Sequence, residues 1–207
     1  LLEYDDVMNK QRTYIYSRRQ HALKGERIGI DISNMIYDVA ENLVESHNAN
    51  DPSEYEALKF DVMSIMACEV PFTAEEYRAH NREDIVNSLH AAAMESLQRK
   101  SEKILEVARP VLLDLNEKGY SGDIQVPITD GKRIYRLIVN VQETVAADCK
   151  NIVTEWHKLI MLATIDELWK EHLRELDELR KSVQNASYEQ KDPLVIYKVE
   201  SFHLFEA

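Results

Sequence analysis

Residues suited to burial recur through the last third of the chain at alternating steps of three and four: Leu162, Ile165, Trp169, His172, Leu176, Leu179 and Val183. That spacing is the seam of one long helix. Trp156 and Leu159 carry the seam backwards, while Met161, Leu168 and Leu173 flank and widen it, which predicts more than one packing neighbour. The pattern predicts a helix from about Glu143 to Val183, about forty residues and so roughly 60 Å long. Its outer face carries Glu167 and Lys170, Glu171 and Arg174, Asp177 and Arg180, and Glu178 and Lys181, each acid three residues ahead of its base. Such pairs add about a few tenths of a kcal/mol each, and the face reads as solvated, without chemistry. The periodicity stops in the polar stretch from Gln184 to Asp192 and resumes with Leu194, Tyr197, Leu204 and Phe205, behind an N-capping Asp192 and a first-turn Pro193. The product is a helical hairpin with Tyr188 near its tip.

Earlier in the chain, Leu1 to Leu23 reads as a helix with Tyr4, Val7, Met8, Ile15 and Leu23 inward, though a basic run leaves its stripe ragged. Gly25 and Gly29 predict a kink or short break, since each costs a helix about 1 kcal/mol. Ile28, Ile32, Met35, Ile36, Val39 and Leu43 then form a clean helical stripe ending near His47 to Asn50. Asp51-Pro52-Ser53-Glu54 starts another helix, with Leu58, Val62, Ile65 and Met66 inward. Val70-Pro71-Phe72 ends it, and Thr73 with Glu76 spells a capping box for a brief helix through His80. From Asn81 a longer helix carries Ile85, Leu89, Ala92, Ala93, Leu97, Ile104 and Ala108, and Pro110 is expected to bend or end it. After Gly119 the period changes to two. Ile124, Val126 and Ile128, the turn Thr129-Asp130-Gly131-Lys132, and the β-formers from Ile134 to Val141 predict a β-hairpin, with helix resuming by Glu143.

The reading is therefore mainly α, with long helices, a helical hairpin and a short β-hairpin. Breaks at 50/51 and 142/143 divide it into a first helical part at 1–50, a small middle domain at 51–142, and a second helical part at 143–207. The chain opens at Leu1 without methionine and closes at Ala207 inside a helical stripe, so it reads as a piece of something longer.

A net charge of −12 argues against nucleic acid as a partner, because phosphate attraction needs a positive face. One local exception is Lys10, Arg12, Arg18, Arg19, Lys24 and Arg27, interleaved with Tyr14 and Tyr16. A charged helix face lying on an acidic neighbour is the favoured reading of that cluster, with an anionic lipid or nucleic-acid contact as the other. Two distant cysteines, Cys68 and Cys149, suit a reducing compartment rather than a disulfide framework. No apolar run approaches the ~20 residues of a membrane span.

Chemistry is sparse. The five glycines make neither GxxxxGKS/T nor GxGxxG, so no nucleotide cradle is expected and the chain alone is expected not to hydrolyse ATP. Glu200-Ser201-Phe202-His203 is the lone ExxH, against the two that a di-metal carboxylate bundle needs, and no metal is expected. His172 on the seam is expected to be buried and hydrogen-bonded, and Trp156 and Trp169 to anchor the core. Tyr188 stands in a polar loop and, on the residues alone, is expected to fold back and staple that loop.

The run MLATIDELWKEHLRELDELR (161–180), followed by ASYEQKDPL (186–194) and IYKVESFHLF (196–205), resembles the two-helix finger of the SecA family, the motor subunits of bacterial preprotein translocase. LLEYDDVMNKQR (1–12) and IYSRR (15–19) resemble the start of that family's helical scaffold domain. Both runs are long and dense, and they cover roughly the first twenty and last sixty residues; the middle matches in placement and helical character. The resemblance implies a scaffold at 1–50 and 143–207 with a helical wing at 51–142, and it departs from the family in having no motor domain. It further implies ATP and magnesium bound by those absent domains and none by this chain. The implied partners are the SecY channel complex, unfolded preprotein, the motor domains of the same chain and an anionic membrane surface. The implied location is cytoplasmic, at the inner face of the plasma membrane. It turns Tyr188 from a loop staple into a contact on the translocating polypeptide, with Gln190 and Lys191 as polar contacts beside it. The alternative is a stand-alone helical interaction module without a motor.

Overall fold

Helices begin where the chain supplies an acceptor for their first unpaired N–H groups. Asp51 accepts from the Ser53 amide at 2.9 Å ahead of α3 (Pro52–Ile65). Thr73 and Glu76 cap each other, at 3.3 and 2.7 Å, ahead of α4 (Ala74–Ala79). Asn81 accepts from the Asp84 amide at 2.8 Å ahead of α5 (Arg82–Glu117), and Asn140 from the Glu143 amide at 3.1 Å ahead of α6 (Val141–Ala146). The other helices are α1 (Leu2–Lys24), α2 (Ile28–Ser46), α7 (Asn151–Asn185) and α8 (Pro193–Glu206), and the strands are β1 (Asp123–Thr129) and β2 (Ile134–Asn140). This computed structural model describes residues 2–25, 27–129, 131–185 and 192–206. Across them the fold is mainly α with one short antiparallel hairpin.

Two compact units arise: Leu1–Glu26 with Trp156–Ala207, and Arg27–Glu155. Compactness thus divides the chain elsewhere than the composition breaks at 50/51 and 142/143. α2 falls in the Arg27–Glu155 unit because its stripe packs on α3 and α5. There Ala40, Leu43 and Val44 meet Leu58 and Val62 of α3, Tyr77 of α4, and Ile85, Leu89 and Ala93 of α5. Tyr77 stacks on Phe72 with ring centroids 5.7 Å apart and donates its hydroxyl to the His47 carbonyl at 2.9 Å, closing the end of α2. Ile65, expected inward, is instead 61% exposed, as are Phe60 and Met63 in large part. α3 is a short helix whose inward face is carried by Leu58 and Val62.

The β-hairpin pairs Ile124 with Val139, Val126 with Leu137 and Ile128 with Tyr135. Side chains alternate across a strand, so these six share one face, on which Leu137 and Val139 are buried, while Ile134 and Ile138 face out and are exposed. Gly131 turns at φ +88° with its amide donating to the Thr129 hydroxyl at 3.0 Å, while Asp130 lies outside the described residues. Val141, which reads as the last β-former, opens α6 because Asn140 caps it.

Two element boundaries differ from those the sequence suggests. Pro110 does not end α5, which runs on to Glu117; Ala108 and Leu112 are buried on either side of it, and Gly119 at φ +81° closes the helix in a Schellman turn, with Tyr120 donating to the Leu115 carbonyl at 3.0 Å and Gly119 to Asn116 at 3.0 Å. The long helix does not begin at Glu143. A second Schellman turn closes α6, with Cys149 donating to the Thr144 carbonyl at 2.8 Å and Asp148 to Val145 at 3.0 Å, before α7 starts at Asn151. Asp148 and Cys149 hold φ of 53° and 60°, a region L-residues seldom visit. Arg109 of α5 donates to the Asp148 carbonyl at 3.1 Å and pairs with its carboxylate at 3.3 Å, while Cys149 is buried, so tertiary contacts fix a turn for which glycine would be the ordinary residue. From Asn151 to Asn185, α7 is unbroken and about 52 Å long.

Candidate functional site

The α7–α8 hairpin is held by α1, which runs antiparallel to α7 and alongside α8. Three contacts mark this course: Arg180 of α7 lies over the Tyr4 ring at 5.6 Å, His172 meets Gln11, and Asp166 meets Arg19. On α8, Lys198 pairs with Glu3 at 3.0 Å, and the Tyr197 and Tyr4 rings lie 4.8 Å apart. Leu176, Val183 and Tyr197 form a buried cluster, and Tyr4, Val7, Met8, Leu179 and Ile196 pack against it. This core sits at the hairpin end from which residues 186–191 depart. Tyr188, Gln190 and Lys191 fall in that stretch and lie outside the described residues.

Midway along the three helices the packing turns polar. His172 is buried at 9% exposure, and its Nε2 lies 3.0 Å from Gln11 Oε1. The Gln11 amide nitrogen donates to the Ser201 carbonyl at 3.0 Å. A carbonyl only accepts, so the amide NH2 must face Ser201 and Oε1 must face His172. The imidazole therefore carries a proton on Nε2 and donates it. Trp169 and Phe205 flank the ring at 5.5 and 5.4 Å. Burial pushes the His172 pKa below the usual imidazole range, with Glu175 pulling partly back. The reading of His172 as a buried, hydrogen-bonded histidine holds.

Gln11 is the residue that sequence reasoning passes over, although a signal was present. It stands four residues after Val7 and four before Ile15, on the very stripe that looks ragged. His157, further back on α7, is also pushed down by burial, and its Nε2 has no hydrogen-bond partner among the described residues.

Of the basic cluster, Arg19 forms a two-pronged pair with Asp166, at 2.8 and 3.3 Å, as a helix face lying on an acidic neighbour should. Arg18 instead donates to the Tyr14 hydroxyl of its own helix at 3.0 and 2.9 Å, leaving Tyr14 and Tyr16 about half exposed. On the outer face of α7, Glu171 and Arg174 pair at 2.7 Å, whereas Arg180 reaches across to Asp5 at 3.7 Å. Leu168, expected to widen the seam, is 65% exposed, and Trp169 is half-buried. Glu200 and His203 are both exposed. Among the described residues no group of three or more His, Cys, Asp or Glu is placed to hold a metal ion, and no helix is long and apolar enough to cross a membrane.

A family model described as the SecA wing and scaffold domain matches residues 1–207. The protein translocase subunit SecA of Bacteroides thetaiotaomicron is 48% identical over 209 residues, covering all of this chain and 18% of that protein. Its counterpart in Porphyromonas gingivalis is 52% identical over 208 residues, covering 99% of this chain and 18% of the relative. The SecA of Christiangramia forsetii is 38% identical over 208 residues, again covering all of this chain and 18% of its own length. No solved structure matches. The chain spans about 18% of the length of these curated relatives, and the match runs from its first residue to its last. With a long α7, a hairpin clasped by α1 and a small α/β unit between them in sequence, the chain belongs to the SecA wing and scaffold domain family.

Proposed function

We propose that the chain is the scaffold and wing portion of a SecA-type preprotein translocase ATPase, with the scaffold at 1–50 and 143–207 and the wing at 51–142. In this reading α7 carries motion from motor domains elsewhere in the longer protein to the residues joining it to α8. Tyr188 presses on unfolded preprotein at the SecY channel. Its ring offers apolar contact and its hydroxyl a hydrogen bond, neither of which depends on client sequence. Gln190 and Lys191 add polar contacts. ATP and magnesium belong to the motor domains, where hydrolysis supplies the work, and the assembly operates on the cytoplasmic face of the plasma membrane.

The observation that carries this reading is mechanical. A single unbroken helix of 35 residues enters the hairpin, and α8 is fastened to it and to α1 by a continuous core and a buried polar relay. Force applied along α7 reaches residues 186–191 without a joint on the way. The test uses the full-length protein with a photo-crosslinker at position 188, stalled during export. The preprotein should be the crosslinked species, and Tyr188→Ala should hydrolyse ATP while exporting poorly. Crosslinks only within its own chain, or unchanged export by the variant, overturn the role given to Tyr188.

A further inference from the structure

Apolar contacts between long helices are forgiving of axial slip. Val7 and Met8 of α1, Leu176 and Leu179 of α7, and Tyr197 of α8 meet through non-directional contacts, which tolerate an axial displacement more readily than hydrogen bonds do. The buried trio in the middle is not forgiving. Gln11, 8% exposed, has its two amide ends bonded to different helices, Oε1 to His172 of α7 and the amide nitrogen to the Ser201 carbonyl of α8. A slip of α7 past α1 strands the Gln11 Oε1 and the imidazole N–H in an apolar interior, where unpaired polar groups are strongly disfavoured, and a slip of α8 moves the Ser201 carbonyl away from the Gln11 amide nitrogen.

We propose that Gln11, His172 and Ser201 form a register lock: one side chain of α1 that sets the axial position of both arms of the hairpin at once. These are positioning residues, and the lock stands whatever the hairpin's connecting residues touch. A single buried polar side chain at a core position is a known way for packed helices to choose one register at some expense of stability. Here the choice extends to three helices, because one amide serves two partners. Its consequence is that the end of α7 and the start of α8 are held at a defined distance along α1.

The lock separates register from stability, and the test exploits that. In the 207-residue chain, nitroxide labels at the exposed positions Lys10 and Glu178 report the α1–α7 offset by pulsed electron–electron resonance, while the buried Cys68 and Cys149 thiols, with pKa raised by burial, stay unlabelled. Gln11→Met with His172→Phe replaces the polar pair by side chains of similar shape. The wild type should give one distance. The double variant should keep its helix content and melting temperature yet show a second population displaced by about 5 Å, a rise of about tenfold or more in the slipped state. His172→Gln, which keeps an N–H donor at similar reach, should restore the single distance. A double variant that retains one distance overturns the lock. So does one that loses its helices, since the trio would then serve folding rather than register. Mixed distances in His172→Gln would assign the register to ring packing and equally refute the hydrogen-bonded lock.

Discussion

Two glycines four residues apart should respond to the same substitution with opposite signs. Gly25 follows α1 at φ +67°, and its amide closes the last turn by donating to the His21 carbonyl at 3.2 Å. An added methyl group there would meet Cε of Lys158, the far end of a flexible side chain. The lasting cost lies in the backbone, since an L-residue in the left-handed region costs about 1–2 kcal/mol. Alanine also restricts the unfolded chain, which returns about 0.4–1 kcal/mol. Gly25→Ala should therefore destabilise by about 1 kcal/mol. Gly29 lies in the first turn of α2, exposed, with nothing within 4 Å of an added Cβ and no positive φ. There the helix gains propensity at no steric expense, and Gly29→Ala should stabilise by about 0.5–1 kcal/mol.

Urea unfolding followed by far-ultraviolet circular dichroism reads both. With a slope of about 1–3 kcal/mol per molar, the two midpoints should move apart by about 1 M, Gly25→Ala downward and Gly29→Ala upward. Because the two residues belong to different compact units, each shift should appear in the transition of its own unit. Shifts of the same sign, or a neutral Gly25→Ala, would refute the assignment of a left-handed backbone to Gly25 and with it the placement of the α1–α2 break.

Other perturbations follow from the same reasoning. Pro110 is exposed inside an otherwise regular α5, so Pro110→Ala restores a helix amide and should raise the stability of the Arg27–Glu155 unit by roughly 1–3 kcal/mol in the same urea experiment. Leu89 is fully buried and Phe60 is 72% exposed, so Leu89→Ala should cost about 2–5 kcal/mol while Phe60→Ala stays within about 0.5, compared by thermal melting. Burial lowers the pKa of both His157 and His172 in the folded state, while an unfolded histidine titrates near about 6.5. Below that pH the unfolded chain binds protons that the folded one resists, so their contribution is complete above it and is lost as pH falls towards the folded values. The urea midpoint should drop between about pH 7.5 and 5.5, and His157→Gln with His172→Gln should flatten that drop; an unchanged slope would show that carboxylates alone carry it.

What the chain discloses in advance depends on how local the deciding contact is. Asp51, Thr73 and Asn81 each satisfy an amide two or three residues away, and all three helix starts are legible as sequence. The break at Asp148 is not, because its decisive partner, the Arg109 guanidinium, lies 39 positions earlier on α5. A Schellman turn with aspartate where glycine is usual leaves no local mark, so in the sequence the seam's periodicity runs on back to Glu143. Pro110 misleads in the opposite direction. Its intrinsic penalty is local and visible, whereas the burial of Ala108 and Leu112 that helps offset it is tertiary. Exposure of Ile65 and Leu168 belongs with these, since periodicity says which residues share a face but not whether anything covers it.

Gln11 stands on the stripe of α1 between Val7 and Ile15. A polar residue on an apolar stripe blurs the pattern, and the first helix is weakly amphipathic for that reason among others. Yet the stripe Val7, Gln11, Ile15 on α1 and the seam through His172 on α7 each place one polar residue where an apolar one is expected. Two such departures on two helices of one unit are better read together than singly. Buried polar groups are tolerated only in pairs or chains that satisfy one another, so a polar residue on one stripe implies a partner on another. Each apparent flaw in the amphipathic pattern then becomes evidence for how the helices are aligned. The Gln11–His172 bond is the alignment those two departures jointly require; the other end of the Gln11 amide donates to the Ser201 backbone carbonyl, while the Ser201 hydroxyl donates to Lys198 of its own helix.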